Sequence, residues 1–418
     1  MTDAPILCRT AALVAAMMAV ISCGGSTPPE PSGTTPIART DLPQALSAPA
    51  QQVRNSANAF SFALWQKLNA QQPSANLFAS PLSASFALGM TLNGAAGGTL
   101  DEMKSALQLG SASVADVDAG YKSLIQLLTT LDPSVTMQVA NSIWYRNTLT
   151  VNKPFIDAVT SSFDATVTPL NFADVPGSLS KINGWVDTKT NHKITSILDN
   201  VPADAVMYLI NAIYFKASWR EKFDATKTTN EAFHGVDGDH TVPLMHRNDH
   251  LSYAESATYQ AVDLPYGDSS FAMTVILPKT TTTVNDVAAS LTADAWTTLT
   301  AGFHSGLVDL ALPKMKLEWT ASLIPELKAL GMNAAFTNAD FTAMSPAGNQ
   351  LVISEVKQKA YVDVNEDGTE AAAVTSVGVY TTAAPVPLVV RVDRPFIFAI
   401  RERLTGTVLF MGKVVDLP

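Results

Sequence analysis

Residues 363 to 384 read Asp363-Val-Asn-Glu-Asp-Gly368-Thr-Glu370-Ala-Ala-Ala373-Val-Thr-Ser-Val-Gly378-Val-Tyr380-Thr-Thr382-Ala-Ala384, and they constrain the fold more than any other part of the chain. An acidic, Gly-centred turn leads into a run of small side chains, with no Lys or Arg between Lys359 and Arg391. Small side chains bury little apolar area, so such a run cannot hold itself in a core. Its Val, Thr and Tyr are nevertheless compatible with a strand. A segment of this kind becomes ordered by joining a sheet that other residues build, at an edge or a gap. It reads as a part that moves.

The remainder of the chain can supply such a sheet. Of 418 residues, 47% are hydrophobic, ample for a sizeable core. The net charge of −10, with no basic run beyond two neighbouring cations, argues against a nucleic-acid partner, because phosphate binding needs clustered Lys and Arg. The only cysteines are Cys8 and Cys23. The body therefore lacks a disulfide, a thiolate nucleophile and a cysteine-ligated metal, which fits an extracytoplasmic protein stabilised by its core.

The first residues account for both cysteines. A short head carrying Arg9 precedes the apolar run Ala11 to Ile21, too short to span a bilayer as a helix but suited to a secretory signal. Val20-Ile21-Ser22-Cys23 resembles a bacterial lipobox, in which the cysteine is lipidated and becomes the mature N-terminus. We expect a signal peptide over 1–22, a lipid anchor on Cys23, and a membrane-anchored protein of the bacterial cell envelope or surface. Several acyl chains hold firmly, at roughly 0.8 kcal/mol per buried methylene. Residues 23–48, rich in Pro, Ser, Thr and Gly, read as a disordered tether, and 49–418 as the folded body.

Within the body, Phe60, Leu64 and Leu68 recur at helical spacing. Thr99-Leu-Asp-Glu102 reads as a capping box whose helix Gly110 closes. Val135 to Trp144, Ala272 to Leu277, Leu388 to Val392, Phe396 to Ile400 and Thr407 to Met411 are strand-like, the last after a turn at Thr405-Gly406. Helices dominate the first third and strands the last, without internal linker or repeat. The pattern predicts one α+β unit.

Several ordered blocks between residues 50 and 418 resemble the serpin family. Asn76-Leu-Phe-Ala-Ser80-Pro81-Leu-Ser83 is similar to its buried Ser-Pro-x-Ser segment, and Asn211-Ala-Ile-Tyr-Phe-Lys216-Ala-Ser-Trp219 to its central strand and following tryptophan. Leu264-Pro-Tyr266, Leu312-Pro-Lys-Met315, Leu330-Gly-Met332 with Ala339-Asp-Phe341, and Arg394-Pro-Phe396 follow in the family's order. Glu366-Asp-Gly368-Thr369-Glu370-Ala371-Ala372-Ala373 resembles the hinge of its reactive loop. The resemblance implies a single α+β domain with a large central sheet, further sheets, surrounding helices and an exposed reactive loop. It also implies a monomeric, cofactor-free inhibitor of serine proteases that is not itself an enzyme. Such an inhibitor is attacked as a substrate, and its cut loop inserts into the main sheet while the protease is still acylated.

The residues can be tested against that physics. Alternate residues of a strand face opposite sides. One face would carry Thr369, Ala371, Ala373, Thr375, Val377 and Val379, with no charge or bulk, and can be buried. The other would carry Glu370, Ala372, Val374, Ser376, Gly378 and Tyr380, placing Glu370 where water reaches it. An unpaired charge on the inward face would oppose insertion by several kcal/mol, so the hinge reads as competent. With no cation from 360 to 390, a trypsin-like protease has no anchor. The family's usual loop length, counted from Gly368, puts the scissile bond between Thr382 and Ala383. Counting back from Pro395-Phe396 shifts it to Ala384-Pro385, where the prolyl nitrogen disfavours cleavage. Small residues suit elastase- or subtilisin-like enzymes, and Tyr380-Thr381 offers a chymotrypsin-like alternative. Ser80, Ser83, Asn211 and Trp219 match positions beneath the family's main sheet that control its opening. Gln358 stands where the family often has a histidine, and an amide has no charge to titrate near neutrality. A different reading of the same scaffold is a non-inhibitory binding or carrier protein at the cell surface.

Other patterns carry less. Asp363-x-Asn365-x-Asp367-Gly368 copies half of a calcium loop, but Val374 stands where a bidentate Glu is needed. His234, His240, His246 and His250 fit no zinc spacing and read as a solvated loop leading into a strand at Val242 to Met245; no metal site is expected. Gly302-Phe-His-Ser305-Gly306 places its serine one residue late for a nucleophile elbow. Residues 111 to 140 contain only Lys122 as a cation, which disfavours a heparin-type activator.

Overall fold

A computed structural model describes residues 37–202, 205–370 and 386–417. The expected signal peptide, Cys23 and most of the tether lie outside the described residues, as do Ala371, Ala372, Ala373, Tyr380, Thr381, Thr382 and Ala383.

The body opens with α1 (Ala48–Gln71), β1 (Leu77–Ala79), α2 (Pro81–Leu92), α3 (Gly97–Ala106) and α4 (Val114–Thr130). Next come β2 (Thr136–Arg146), α5 (Lys153–Phe163), β3 (Thr166–Leu170), α6 (Val175–Lys189) and β4 (Met207–Ser218). A run of strands follows: β5 (Thr229–Gly235), β6 (Gly238–Glu255), β7 (Tyr259–Tyr266) and β8 (Phe271–Pro278). Helices α7 (Val284–Ser290) and α8 (Ala293–Ala301) lead to β9 (His304–Pro313), β10 (Met315–Ser322) and α9 (Ile324–Ala329). The chain ends with β11 (Lys357–Asn365), β12 (Gly368–Thr369), β13 (Leu388–Arg391), β14 (Phe396–Glu402) and β15 (Val408–Val414).

These strands form two sheets. A nine-stranded sheet runs β1-β15-β14-β8-β7-β6-β9-β13, with β5 paired to β6. A six-stranded sheet runs β10-β11-β12-β4-β2-β3. The main core includes the apolar face of α1 (Phe60, Leu64, Leu68), the central strands of the larger sheet and the inner face of the smaller one. Phe78 stacks on Phe398 and Phe410, with ring centroids 5.7 and 5.3 Å away. The buried Lys413 amine closes the C-terminal end of α1, donating to the carbonyls of Gln72 and Pro73 and to Asn69 and Asn285. Those four acceptors replace the water that an ammonium loses on burial. A second core, built from Trp144, Phe172, Ile182, Val186 and Ile210, lies between α6 and the outer face of β2 and β4.

The α+β architecture and the single domain agree with the sequence expectation. Three local readings are corrected. No side-chain cap occupies the start of α3. The Thr99 hydroxyl instead accepts from Asp340 N, and Glu102 accepts from the amides of Asn333 and Ala334; the apparent capping box serves tertiary contacts. The histidine-rich stretch is the β5–β6 hairpin rather than a loop. His234, His240 and His246 face Asp239, Asp416 and Glu231 respectively, at 2.8, 3.3 and 2.6 Å. Finally, the C-terminal end of the tether lies on the body: Arg39 N donates to the Asp268 carbonyl, and its guanidinium pairs with that carboxylate at 2.9 Å.

Candidate functional site

The functional segment begins where β11 turns back into β12. Gly368 pairs with Asn365 on β11 and with Ser218 on β4, and Thr369 pairs with Val364 and Ala217. This two-residue strand is thus bonded on both sides. Among the described residues no other pairing joins β4 to β11. Gly368 is required here twice over. Its φ is +148°, and a Cβ would lie 2.2 Å from the Ala217 carbonyl oxygen. Both conditions exclude a larger residue without displacement of the backbone.

Aromatic and charged groups brace this junction. Trp219 stacks on Tyr266 at 4.5 Å, nearly parallel, and its indole N–H donates to the Asn365 carbonyl at 2.9 Å. The Tyr266 hydroxyl bonds the Thr369 hydroxyl at 2.7 Å in a fully buried setting. Burial pushes the Tyr266 phenol above its ordinary range, and the Thr369 bond only partly offsets this. Glu366 pairs with Lys314 at 2.9 Å and accepts from the Thr228 hydroxyl, while Asp367 pairs with Lys222 at 3.0 Å. Burial raises the Glu366 carboxyl, but the Lys314 and Thr228 bonds outweigh it and hold it below its ordinary value. Backbone bonds from Trp219 N to Asp367 O and from Phe223 N to Glu366 O complete the clamp.

Beneath the sheet, at its other end, lies a polar cluster. The Ser83 hydroxyl donates to Asn211 Oδ1, Asn211 Nδ2 to Asn141 Oδ1 at 2.5 Å, and Asn141 Nδ2 to the Phe163 carbonyl at 2.6 Å. On the opposite side of the gap, Gln358 Oε1 accepts from Ser80 N at 3.0 Å and its Nε2 donates to Ser80 O at 2.7 Å. The Ser80 hydroxyl reaches the Leu409 carbonyl of the larger sheet at 2.8 Å. Ser80, Ser83, Asn211 and Gln358 therefore form one hydrogen-bonded chain through the start of α2, where Ser83 N donates to Ser80 Oγ at 3.3 Å and links the group under β4 to the one under β11. Gln358 uses donor and acceptor at once, as an amide can and a neutral imidazole cannot with the same pair of backbone atoms.

The alternation expected at the hinge holds for Thr369, which points inward to Tyr266. Glu370 points to the outer face, as expected, but that face is not open to water. The side chain is 5% exposed, and its carboxylate lies 3.6 Å from Lys193, in the segment after α6. Burial raises the Glu370 carboxyl, partly opposed by Lys193 and by Tyr214. The strand pattern cannot reveal this cover, because α6 lies far away in sequence. On its C-terminal side the segment rejoins the fold at β13, an edge strand parallel to β9 whose Leu388 and Val389 are exposed.

Sequence reasoning gave no role in the site to Lys193, Lys222, Thr228 and Asn141, nor to Tyr266 and Lys314, which it noted only within family blocks. The acidic pair Glu366-Asp367 was the available signal, since two adjacent half-buried carboxylates need cations.

A family model described as Serpin (serine protease inhibitor) matches residues 55–417. The chain is 34% identical over 374 residues to an uncharacterized serpin-like protein of Thermococcus kodakarensis, a match covering 87% of this chain and 85% of that one. Its fold is similar to that of a thermophilic serpin, tengpin, in the native state, with a TM-score of 0.80, 32% identity, and 91% and 97% of the two chains covered. It is also similar to human thyroxine-binding globulin complexed with thyroxine, with a TM-score of 0.81, 27% identity, and 88% and 99% covered.

Gly368→Ala should expel the hinge from the top of the sheet. The amides of Thr369 and Trp219 are then expected to exchange with solvent deuterium at least tenfold faster, the equivalent of about 1.4 kcal/mol of local stability. Unchanged protection would show that the close approach to Ala217 is not needed.

Proposed function

This chain belongs to the serpin family, whose members are generally protease inhibitors, and from that premise we propose that it inhibits serine proteases as a suicide substrate. The observation that carries the reading is the double pairing of β12: the two residues that lead toward the bait segment are paired with both β11 and β4. A segment that continues from Thr369 in the same direction would extend between two strands that have no other partner on those edges among the described residues.

The chemistry belongs to the protease. Its serine Oγ attacks the Thr382 carbonyl carbon, the Thr382–Ala383 C–N bond breaks, and the serine proton passes through the protease histidine to the Ala383 amine. The inhibitor is left as an ester on the enzyme. Insertion of Ala371 onward then carries the acylated protease away before water can hydrolyse that ester. Glu366, Gly368, Thr369, Glu370, Ala371, Ala372 and Ala373 form the hinge in this proposal. Ser80, Ser83, Asn211, Trp219 and Gln358 govern how readily β4 and β11 part. Small residues at Thr382-Ala383 suit elastase- or subtilisin-like enzymes, and Tyr380-Thr381 a chymotrypsin-like one. The protein acts as a monomer.

A second reading, transport of a small molecule, has one observation in its favour. A cleft of about 600 Å³ between α1, α8 and the larger sheet is lined by Arg54, Asn58, Trp296, Arg401 and Arg403. Arg54 Nε and the indole N–H of Trp296 are buried there without a hydrogen-bond partner among the described residues. Thyroxine-binding globulin, with its bound thyroxine, shows that a chain of similar fold can carry a ligand.

Incubation with subtilisin or elastase separates the two readings. Inhibition predicts an SDS-stable covalent complex and a released C-terminal peptide whose mass places the cut after Thr382. Ala373→Arg, which puts a charge on the inward face, should be cut without forming the complex. Absence of a complex with every protease tried would favour the carrier.

We also propose that Cys23 is lipidated and tethers the domain outside the cytoplasm. Cys23→Ser should move the protein from the membrane fraction to the soluble one; retention in the membrane would count against the anchor.

A further inference from the structure

Glu370 closes the described part of the hinge, and its conformation is unusual. Its φ of +59° places a non-glycine residue in the left-handed region, which an L side chain adopts at a cost. Its carboxylate is almost fully buried, and Oε2 has no hydrogen-bond partner among the described residues. The one cation within ion-pair distance among those residues is Lys193, with Nζ at 3.6 Å. Strand pairing does not demand the left-handed turn, because the β11 side offers only one bond to this residue, from its N–H to the Asp363 carbonyl.

Lys193 is held by a stiff turn that follows α6. Asn191 and His192 both have positive φ, +50° and +62°. The Thr190 hydroxyl donates to the Val186 carbonyl at 2.9 Å and accepts from Ile194 N at 3.0 Å. His192 N donates to Asp187 O, and Asn191 Nδ2 reaches the Tyr214 hydroxyl at 3.2 Å. The Lys193 amine lies 5.3 Å from the Tyr361 ring centroid, and Lys316 lies 5.5 Å from that same ring. The groups around Glu370 are Lys193 from the α6 turn, Tyr214 from β4, and Tyr361 and Asp363 from β11, with Lys316 of β10 against the Tyr361 ring.

We infer that Lys193 is a positioning residue that latches Glu370 in its left-handed conformation, stopping β12 at Thr369 until a cut loop draws the hinge inward. The inference rests on the inhibitory reading. For the strand to continue, Glu370 must swing from positive φ to the extended region, and the ion pair opposes that swing. Neutralising the carboxylate removes the tether but leaves nothing costly behind, so the backbone relaxes toward the strand. Removing the lysine has the opposite effect. It leaves a buried carboxylate without a counter-charge, which favours withdrawal of the hinge into water. An ion pair that merely stabilises the fold would give both changes the same sign.

The test is hydrogen exchange on the intact, uncleaved protein with no protease present. Glu370→Gln is expected to slow exchange of the β4 and β11 amides that flank the hinge, by about tenfold. Lys193→Met should speed exchange of the Thr369 and Glu370 amides by about tenfold or more. Lys193→Arg should behave as the unaltered protein, which separates loss of the charge from damage to the turn. The double variant Lys193→Met with Glu370→Gln should follow Glu370→Gln. Shifts of the same sign in both single variants, or no shift in either, would overturn the latch. Failure to trap any protease would instead sink the inhibitory reading while leaving the exchange results to be judged by themselves.

Discussion

The fold depends on a two-residue strand that is bonded on both sides. Gly368 and Thr369 bridge β11 and β4 and hold the six-stranded sheet together at one end. Everything near them serves that bridge. Gly368 has no Cβ to strike Ala217, Trp219 lies flat on Tyr266 beside it, and Lys314 and Lys222 neutralise the two acids of the preceding turn. A strand interior normally gains stability from large side chains, yet beyond Glu370 the sequence continues with Ala371, Ala372 and Ala373. In the proposed inhibition their size would let them pass into a packed sheet without the strain that overpacking brings, typically about one to three kcal/mol per site.

The material beneath the sheet is suited to the same purpose. An apolar contact between β4 and β11 would resist separation, since burying one Leu is worth about 1.5–3 kcal/mol. Instead the contacts are polar: Asn211, with Asn141, is held by Ser83, Gln358 is held by Ser80, and the two serines are bonded to each other. Each strand is thus tied at this point to the start of α2 by hydrogen bonds, and the Ser83–Ser80 bond joins the two ties. Parting the strands breaks one or two such bonds, each worth about 0.5–1.5 kcal/mol net, which is less than a buried apolar contact would resist with. The acidic net charge and cysteine-free body fit this design, in which stability rests on core packing.

Much of this was legible in the sequence. Continuous apolar runs such as Phe396 to Ile400 and Thr407 to Met411 occur as β14 and β15, within three residues at their ends. Phe60, Leu64 and Leu68 do line one buried face of α1. What escaped notice was non-local. Thr99 and Glu102 have the spacing of a cap, but the segment around Asn333 to Asp340 offers them amides that outcompete the local ones. The β5–β6 hairpin had a readable turn, Asp237-Gly238, with φ of +125° at the glycine, a favoured hairpin dipeptide obscured by the crowd of histidines. Arg39 finds Asp268 across more than two hundred residues, which composition cannot show. Glu370 was assigned to the correct face, but the cover over that face comes from α6 and its turn.

The central claim is that the cut loop becomes a strand of the six-stranded sheet. The most direct measurement is the melting temperature of the protein before and after a single cleavage between Tyr380 and Val386, with the two fragments kept together. If the loop inserts, it gains two ladders of hydrogen bonds and buries its small-residue face, so the cleaved form should melt well above the intact one. A melting temperature that is unchanged or lower after cleavage would contradict the account.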